Sequence, residues 1–234
     1  MKFADRAVIV TGAAGTLGSA VARAFHDAGA NLVLVGRRRS ALEAEFGDEG
    51  ERRMYYAANL LQREETDALV AATRKRFGAP YVLCNIAGGF AMGDPVHETA
   101  DETWEQMFDV NVRTLLNAVR SVVPSMLDAR AGKIVNVGSV AAQKGAARMG
   151  AYCAAKSVVI RITESMAAEL RSANINVNCV LPTIIDTPEN RASMPGSDPA
   201  KWIAPADLAQ TVLFLASSAA RAIHGASLTV TGQS

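Results

Sequence analysis

Four apolar residues without alternation, Ala7–Val10, run straight into Thr11-Gly-Ala-Ala-Gly-Thr-Leu-Gly18, and from Leu17 to Ala28 the apolar positions recur at helical spacing. An unalternating run is what a strand covered on both faces looks like. Gly12, Gly15 and Gly18 at its exit allow a tight turn, a close backbone approach to a ligand and close packing of the following helix. A buried strand, a glycine turn and a helix in that order commit the chain to an α/β architecture from its first element.

The alternation continues downstream. Asn31–Val35 reads as a second strand, followed by a charged helix from about Ser40 to Phe46. A weaker strand at Met54–Ala57 precedes a helix over Gln62–Phe77, which Gly78 and Pro80 end. Tyr81–Asn85, Lys133–Val137, Asn176–Val180 and Ser227–Val230 read as the remaining strands, and Thr103–Ala129, Ala151–Arg171 and Pro205–Ser217 as the remaining helical stretches. The longest, Thr103–Ala129, is expected to consist of two stretches and to bend near Pro124. The pattern predicts a single doubly wound Rossmann domain over 1–234, built on a central parallel sheet of about seven strands. Repeats and low-complexity linkers are absent. Only 183–204, with Pro188, Pro195, Gly196 and Pro199, breaks the rhythm, and it reads as a substrate lid inside the domain. In such sheets ligands bind beyond the carboxyl ends of the strands, where the glycine turn and this segment both emerge.

Composition closes off several classes of function. A formal charge of +1, with scattered arginines apart from Arg37-Arg38-Arg39, offers no cationic face for nucleic acid. No apolar run reaches the roughly 18 residues of a membrane span, and the opening Met-Lys-Phe-Ala-Asp-Arg lacks the apolar core of a signal peptide. Cys84, Cys153 and Cys179 are odd in number and widely spaced, as reduced thiols of a cytoplasmic protein are. His26, His97 and His224 have no metal-ligand spacing, and no metal is expected.

Two groups of residues carry chemistry. The glycine turn suits a pyrophosphate resting on a helix N-terminus, and the second strand ends in Gly36-Arg37. An NAD site offers a carboxylate at this point to the ribose 2'-hydroxyl, whereas an NADP site offers an arginine to the 2'-phosphate. NADP is therefore favoured over NAD, with Arg37 as its ligand. Further along, Tyr152 and Lys156 stand one helical turn apart, with Ser139 thirteen residues upstream of the tyrosine. At i,i+4 phenol and ammonium share a helix face, and the ammonium is expected to lower the phenol from its free value of about 10. A tyrosine so placed is a usable acid or base near neutral pH. Singly, Tyr152 reads as an amphipathic core residue, Lys156 as a snorkelling lysine and Ser139 as a cap. Jointly, and beside a glycine turn, they read as a proton-transfer site.

These residues resemble the short-chain dehydrogenase/reductase family over essentially the whole chain. Its Thr-Gly-x-x-x-Gly-x-Gly motif is similar to Thr11–Gly18, although the middle glycine stands at Gly15 and Thr16 occupies its usual place. Its adenine-contacting Asp-Val/Leu pair falls on Asn59-Leu60, and its Asn-Asn-Ala-Gly on Asn85-Ile86-Ala87-Gly88. Its helix asparagine falls on Asn111, its Tyr-x-x-x-Lys on Tyr152 and Lys156, and Pro182-Thr-Ile-Ile185-Asp-Thr187 resembles its Pro-Gly-x-Ile-x-Thr. The resemblance implies cofactor contacts at Gly12, Gly15, Thr16, Leu17, Gly18, Asn59, Leu60, Asn85, Ala87, Gly88, Tyr152, Lys156, Pro182, Ile185 and Thr187. It implies Tyr152 as general acid in reduction, Ser139 as donor to the carbonyl oxygen and Lys156 on the nicotinamide ribose. Asn111 would hold a water joining Lys156 to solvent. A homotetramer, or less often a dimer, is implied as well.

For the substrate side, Phe90, Gln143, Met149, Met194 and Trp202 are the expected pocket residues, with Arg148 and Arg191 as possible partners of an anionic group. The natural class is a small or medium carbonyl compound or its secondary alcohol. Leu181–Pro195 is also similar to the corresponding stretch of dihydropteridine reductases, which makes reduction of a quinonoid dihydropterin the alternative. A dinucleotide-binding regulatory protein without turnover is the third reading. Loss of Tyr152 or Lys156 would be its mark, and neither is lost.

Overall fold

The computed structural model describes residues 2–233. In chain order the elements are β1 (Ala7–Thr11), α1 (Thr16–Asp27), β2 (Asn31–Gly36), α2 (Arg39–Phe46), β3 (Arg53–Ala57), α3 (Arg63–Phe77), β4 (Pro80–Asn85) and α4 (Asp101–Phe108). They continue with α5 (Thr114–Ala129), β5 (Gly132–Val137), α6 (Gly150–Leu170), β6 (Ile175–Pro182), α7 (Pro188–Ser193), α8 (Pro205–Ala216) and β7 (Ser227–Val230). The seven strands form one parallel sheet in the order β3-β2-β1-β4-β5-β6-β7. The chain winds outward through β2 and β3, then returns to lay β4 on the other side of β1. The crevice where a ligand is expected thus opens between the carboxyl ends of β1 and β4.

Strand periodicity sorts the core onto two faces. Val8, Val10, Leu32, Leu34, Val82, Val135 and Val180 pack with Phe25 of α1 and Leu208 and Val212 of α8. Ile9, Val33, Val35, Leu83, Ile134, Val177 and Leu181 pack with Leu69 of α3, Val119 of α5 and Val159 of α6. Both faces are covered, which is why these strands read as continuous apolar runs; in β6 all eight residues are buried.

Two details differ from the sequence reading. The irregularity in the long helical stretch lies at Asp109–Arg113, five residues that form a π-helical turn between α4 and α5. Pro124 sits inside α5 without ending it. A proline removes one helical donor, which leaves the Arg120 carbonyl to other partners, and Arg63 Nη2 approaches that oxygen at 3.5 Å. The second detail is the segment 183–204, which holds α7, a short helical turn at Pro199–Lys201 and a bridge between Ile185 and Ile203.

Candidate active site

The glycine turn is built by steric need. Gly12 has φ +64°, and a Cβ there would stand 3.0 Å from the Ala87 backbone, across the crevice between β1 and β4. Gly18 is more constrained: its Cβ would lie 2.1 Å from the Gly12 carbonyl oxygen and 2.8 Å from Ala13 Cα. Gly15, the displaced glycine of the motif, has φ −83° and would bring a Cβ no closer than 3.4 Å to the Gly12 oxygen. It precedes Thr16 and Leu17, which open α1, and no side chain caps that helix end. A helix start without a side-chain cap, beside a backbone cleared of Cβ atoms, fits a pyrophosphate. Thr11 ties the two strand exits together, its hydroxyl donating to Cys84 O at 3.3 Å and accepting from Ile86 N and Ala87 N at 3.0 and 3.1 Å.

At the end of β2 the three arginines have different fates. Arg39 is held by Glu43 at 2.7 Å and Glu49 at 3.2 Å. Arg37 and Arg38 are exposed and, among the described residues, take part in no ion pair. Asn59 closes a turn by accepting from Leu61 N at 3.1 Å, while its own N–H donates to Glu65 at 2.7 Å. Leu60 is buried beside it, its carbonyl taken by Asn117 Nδ2 at 2.9 Å.

Around the reacting centre, Ser139 caps the short helical turn Val140–Ala142 by accepting from Ala141 N at 3.2 Å. Its hydroxyl lies close enough to the Tyr152 phenol, one element away, to favour the ionised form of that phenol. Lys156 is buried, and its Nζ donates to Val137 O, at the end of β5, at 2.9 Å. Burial pushes the Lys156 ammonium down to about 8. Burial also raises the Tyr152 phenol above its ordinary value, opposed by the Ser139 hydroxyl. The expected lowering of the phenol by Lys156 is therefore corrected for the protein alone: desolvation of the phenol wins, and the ammonium is directed at Val137.

Asn111 lies in the π-helical turn, almost wholly buried. It clasps Gly89 from both sides, accepting from the N–H at 3.1 Å and donating to the carbonyl at 3.0 Å, and its second amide hydrogen goes to Met107 O at 3.0 Å. A π turn brings a side chain out of helical phase and is frequent at functional sites. Gly88 completes the contact: its Cβ would meet Asn111 Oδ1 at 2.9 Å and Lys156 Nζ at 3.3 Å. One glycine thus faces both Asn111 and Lys156.

The remaining expected residues divide. The Phe90 ring meets the Tyr152 ring edge to face, with centroids 4.9 Å apart. Met149 precedes α6 and is half-buried. Gln143 lines a groove of about 550 Å³ with Val96, Gly150, Cys153 and Ser157, on a different stripe of α6 from Tyr152 and Lys156. Pro182 ends β6, Ile185 pairs with Ile203, and the Thr187 hydroxyl caps α7 by accepting from Asn190 N at 3.1 Å. Met194 is half-buried, whereas Trp202 is enclosed at 7% exposure and offers a ligand little surface. Arg148 and Arg191, named as partners for an anionic group, are exposed and already hydrogen-bonded within the chain. Arg191 grips Asp186 through two bonds of 2.6 and 2.7 Å, and Arg148 Nη1 donates to Gly93 O at 2.8 Å.

Sequence reasoning missed a buried chain of polar groups beneath the site. Asn85 Nδ2 donates to Asn136 Oδ1 at 2.8 Å, and Asn136 Nδ2 to Thr163 Oγ1 at 2.9 Å, joining β4, β5 and α6. The only signal was an asparagine inside an apolar strand run. Among the described residues no three His, Cys, Asp or Glu side chains converge on a metal position, and no helix is long and apolar enough to cross a membrane.

Residues 6–197 match the family model described as short chain dehydrogenase. The chain is 34% identical over 186 residues to Nodulation protein G of Rhizobium meliloti, covering 80% of this chain and 76% of that one. It is 31% identical over 240 residues to a cis-4-hydroxycyclohexanecarboxylate dehydrogenase of Sinomonas cyclohexanicum, covering 98% and 96%. A short-chain type dehydrogenase/reductase from Mycobacterium ulcerans superposes with TM-score 0.93 at 26% identity, over 100% of this chain and 90% of that one. ElxO, solved with NADP bound, shares the fold with TM-score 0.90 at 23% identity, over 99% of this chain and 98% of its own. On this match, and on relatives aligned over nearly its full length, the chain belongs to the short-chain dehydrogenase family.

Proposed function

We propose that this protein is an NADP-dependent oxidoreductase that transfers a hydride between the nicotinamide and a carbonyl compound or its secondary alcohol. The observation that carries the reading is the meeting of Ser139, Tyr152 and Lys156 at the carboxyl end of β5, with Gly88 facing Lys156 and Asn111. Gly12, Gly18 and the uncapped start of α1 would hold the pyrophosphate, and Arg37 the 2'-phosphate. Asn85, Ala87, Gly88, Pro182, Ile185 and Thr187 would line the nicotinamide half. A secondary alcohol is what the relative from Sinomonas cyclohexanicum is named for.

The cofactor, when bound, supplies or accepts the hydride. In reduction Tyr152 gives its proton to the carbonyl oxygen, so hydride on carbon and proton on oxygen complete the alcohol. Ser139 donates a hydrogen bond to that oxygen and stabilises the charge developing there. Lys156 would hold the ribose hydroxyls and favour the phenolate left on Tyr152. Asn111 fixes Gly89 and would hold the water that joins Lys156 to solvent.

The segment 183–204 serves as a lid over the substrate within one domain spanning 1–234. The buried, free Cys84, Cys153 and Cys179 suit a cytoplasmic enzyme. A homotetramer is the expected assembly, with the outer faces of α5 and α6 and the β7 edge as interfaces; light scattering tests it, and a monomer would remove it. For the activity, the test is the initial rate of NADPH and NADH oxidation with ketones, diketones, 3-oxoacyl thioesters and quinonoid dihydropterin. NADPH-dependent reduction of carbonyl compounds supports the reading. Turnover of the dihydropterin alone transfers it to pterin reduction, and cofactor binding without any turnover makes the chain a regulatory protein.

A further inference from the structure

Five large hydrophobic side chains are exposed among the described residues, and three fall on the connection from β4 to α4: Phe90, Met92 and Val96, at 57, 60 and 60% exposure. Scattered exposed apolar residues are ordinary, but a cluster on one short segment marks a contact surface. The connection is held in place. Asn111 clasps it at Gly89, and at Gly93 the N–H donates to Arg148 O at 3.0 Å while the carbonyl accepts from the Arg148 guanidinium. Arg148 adopts φ +62° to make this double contact, a conformation that costs a non-glycine residue and clusters at functional sites. Phe90 reaches the ring of the proposed acid, through its edge-to-face contact with Tyr152.

The connection itself carries charge of one sign. Residues 88–102 contain Asp94, Glu98, Asp101 and Glu102 and no lysine or arginine. The arginines of the flanking segments are engaged, Arg148 with Gly93 and Arg191 with Asp186. Lys144 lines the groove with Val96, Gln143 and Cys153, a groove that Tyr152 does not line. A substrate carboxylate seated on this connection would meet its carboxylates and find the flanking arginines already hydrogen-bonded, whereas an apolar group would cover Phe90 and Met92 and remove them from water.

We propose that the substrate is an uncharged carbonyl compound with an aryl or branched alkyl group beside the carbonyl, seated on Phe90 and Met92, and that carboxylate-bearing analogues are rejected. This rests on the oxidoreductase reading above and adds the substrate class to it.

The test compares acetophenone with acetylbenzoate, and cyclohexanone with oxocyclohexanecarboxylate, at saturating NADPH. The uncharged member of each pair is expected to lead in kcat/KM by about tenfold or more, the range a hydrophobic pocket can discriminate. Phe90→Ala should cut the acetophenone value by about tenfold, and Phe90→Leu should retain most of it. Calorimetric titration of acetophenone and acetylbenzoate into Tyr152→Phe protein saturated with NADP reads the same preference without chemistry. Equal or reversed preference in both assays overturns the proposal. So does a Phe90→Ala variant that changes only subunit association by light scattering, because the cluster would then be an interface. If no carbonyl is reduced yet calorimetry keeps the Phe90-dependent preference, the oxidoreductase reading falls and the apolar site stands. If carbonyls are reduced without preference, the reverse holds.

Discussion

Lys156 Nζ donates to the Val137 carbonyl at 2.9 Å, and this contact holds a buried ammonium at the end of β5 with, among the described residues, no carboxylate in an ion pair with it. Burial drives its pKa from 10.5 to about 8. A lysine whose folded pKa lies below its unfolded one gives most stability above the unfolded value and loses it as pH falls through the folded value. Below pH 8 the charged side chain is therefore a standing cost, on the order of 3 kcal/mol at about 1.4 kcal/mol per tenfold. Lys156→Met should be inactive yet more stable than the parent at pH 7 by about 1–3 kcal/mol. The gap should narrow between pH 8 and 10.5. Urea denaturation across that range decides it, and a destabilised variant at pH 7 would show that the ammonium supports the fold.

Tyr152→Phe removes the proton donor and keeps the ring that packs against Phe90. Carbonyl reduction should fall by about 10²–10⁴-fold, with NADPH affinity changed only marginally. Fluorescence titration and single-turnover rates separate the two effects. Appreciable remaining turnover assigns the acid elsewhere.

Arg37→Asp should shift preference toward NADH, because a charge-assisted bond to a 2'-phosphate is worth roughly 1.5–3 kcal/mol. Arg39→Ala is the control, since Glu43 and Glu49 already hold that guanidinium. The ratio of kcat/KM for the two cofactors is the readout. An unchanged ratio in Arg37→Asp means that the phosphate is held by other groups.

The middle and last glycines of the turn, Gly15 and Gly18, should respond differently. Gly18→Ala forces a Cβ to within 2.1 Å of a backbone oxygen, and a loss of about 2–4 kcal/mol with weakened cofactor binding is expected. Gly15→Ala meets only a 3.4 Å contact and should cost about 1 kcal/mol or less, as a helix N-cap exchange. Thermal unfolding with and without NADPH compares them, and equal losses would contradict the local geometry.

What was legible in the sequence was what sterics and periodicity impose. Ile9 and Val10 had to be strand because both faces of β1 are covered, and Gly12 and Gly18 had to be glycine because backbone passes where their Cβ atoms would be. The spacing of Tyr152 and Lys156 also fixed their common helix. The direction in which Lys156 points did not follow from spacing, because it depends on a carbonyl of another strand. Arg191 read as a free cation because its partner, Asp186, lies across a short helix start that no pattern announces. The Asn85–Asn136–Thr163 chain was hidden for a related reason: a single amide in an apolar strand reads as a break in hydrophobicity until its partner's position is known.

The π-helical turn at Asp109–Arg113 has one further consequence. Met107 faces the α6 side before it, and after it Ser121 meets Asp67 of α3 and Asn117 the Leu60 carbonyl. A π turn accommodates one extra residue within a single turn of helix. Deleting one residue there should therefore return the turn to α geometry with the flanking helices still in phase, and Asn117 and Ser121 should keep partners more than fifty positions distant in sequence. The loss should fall on Asn111 alone, whose clasp on Gly89 starts from inside the turn.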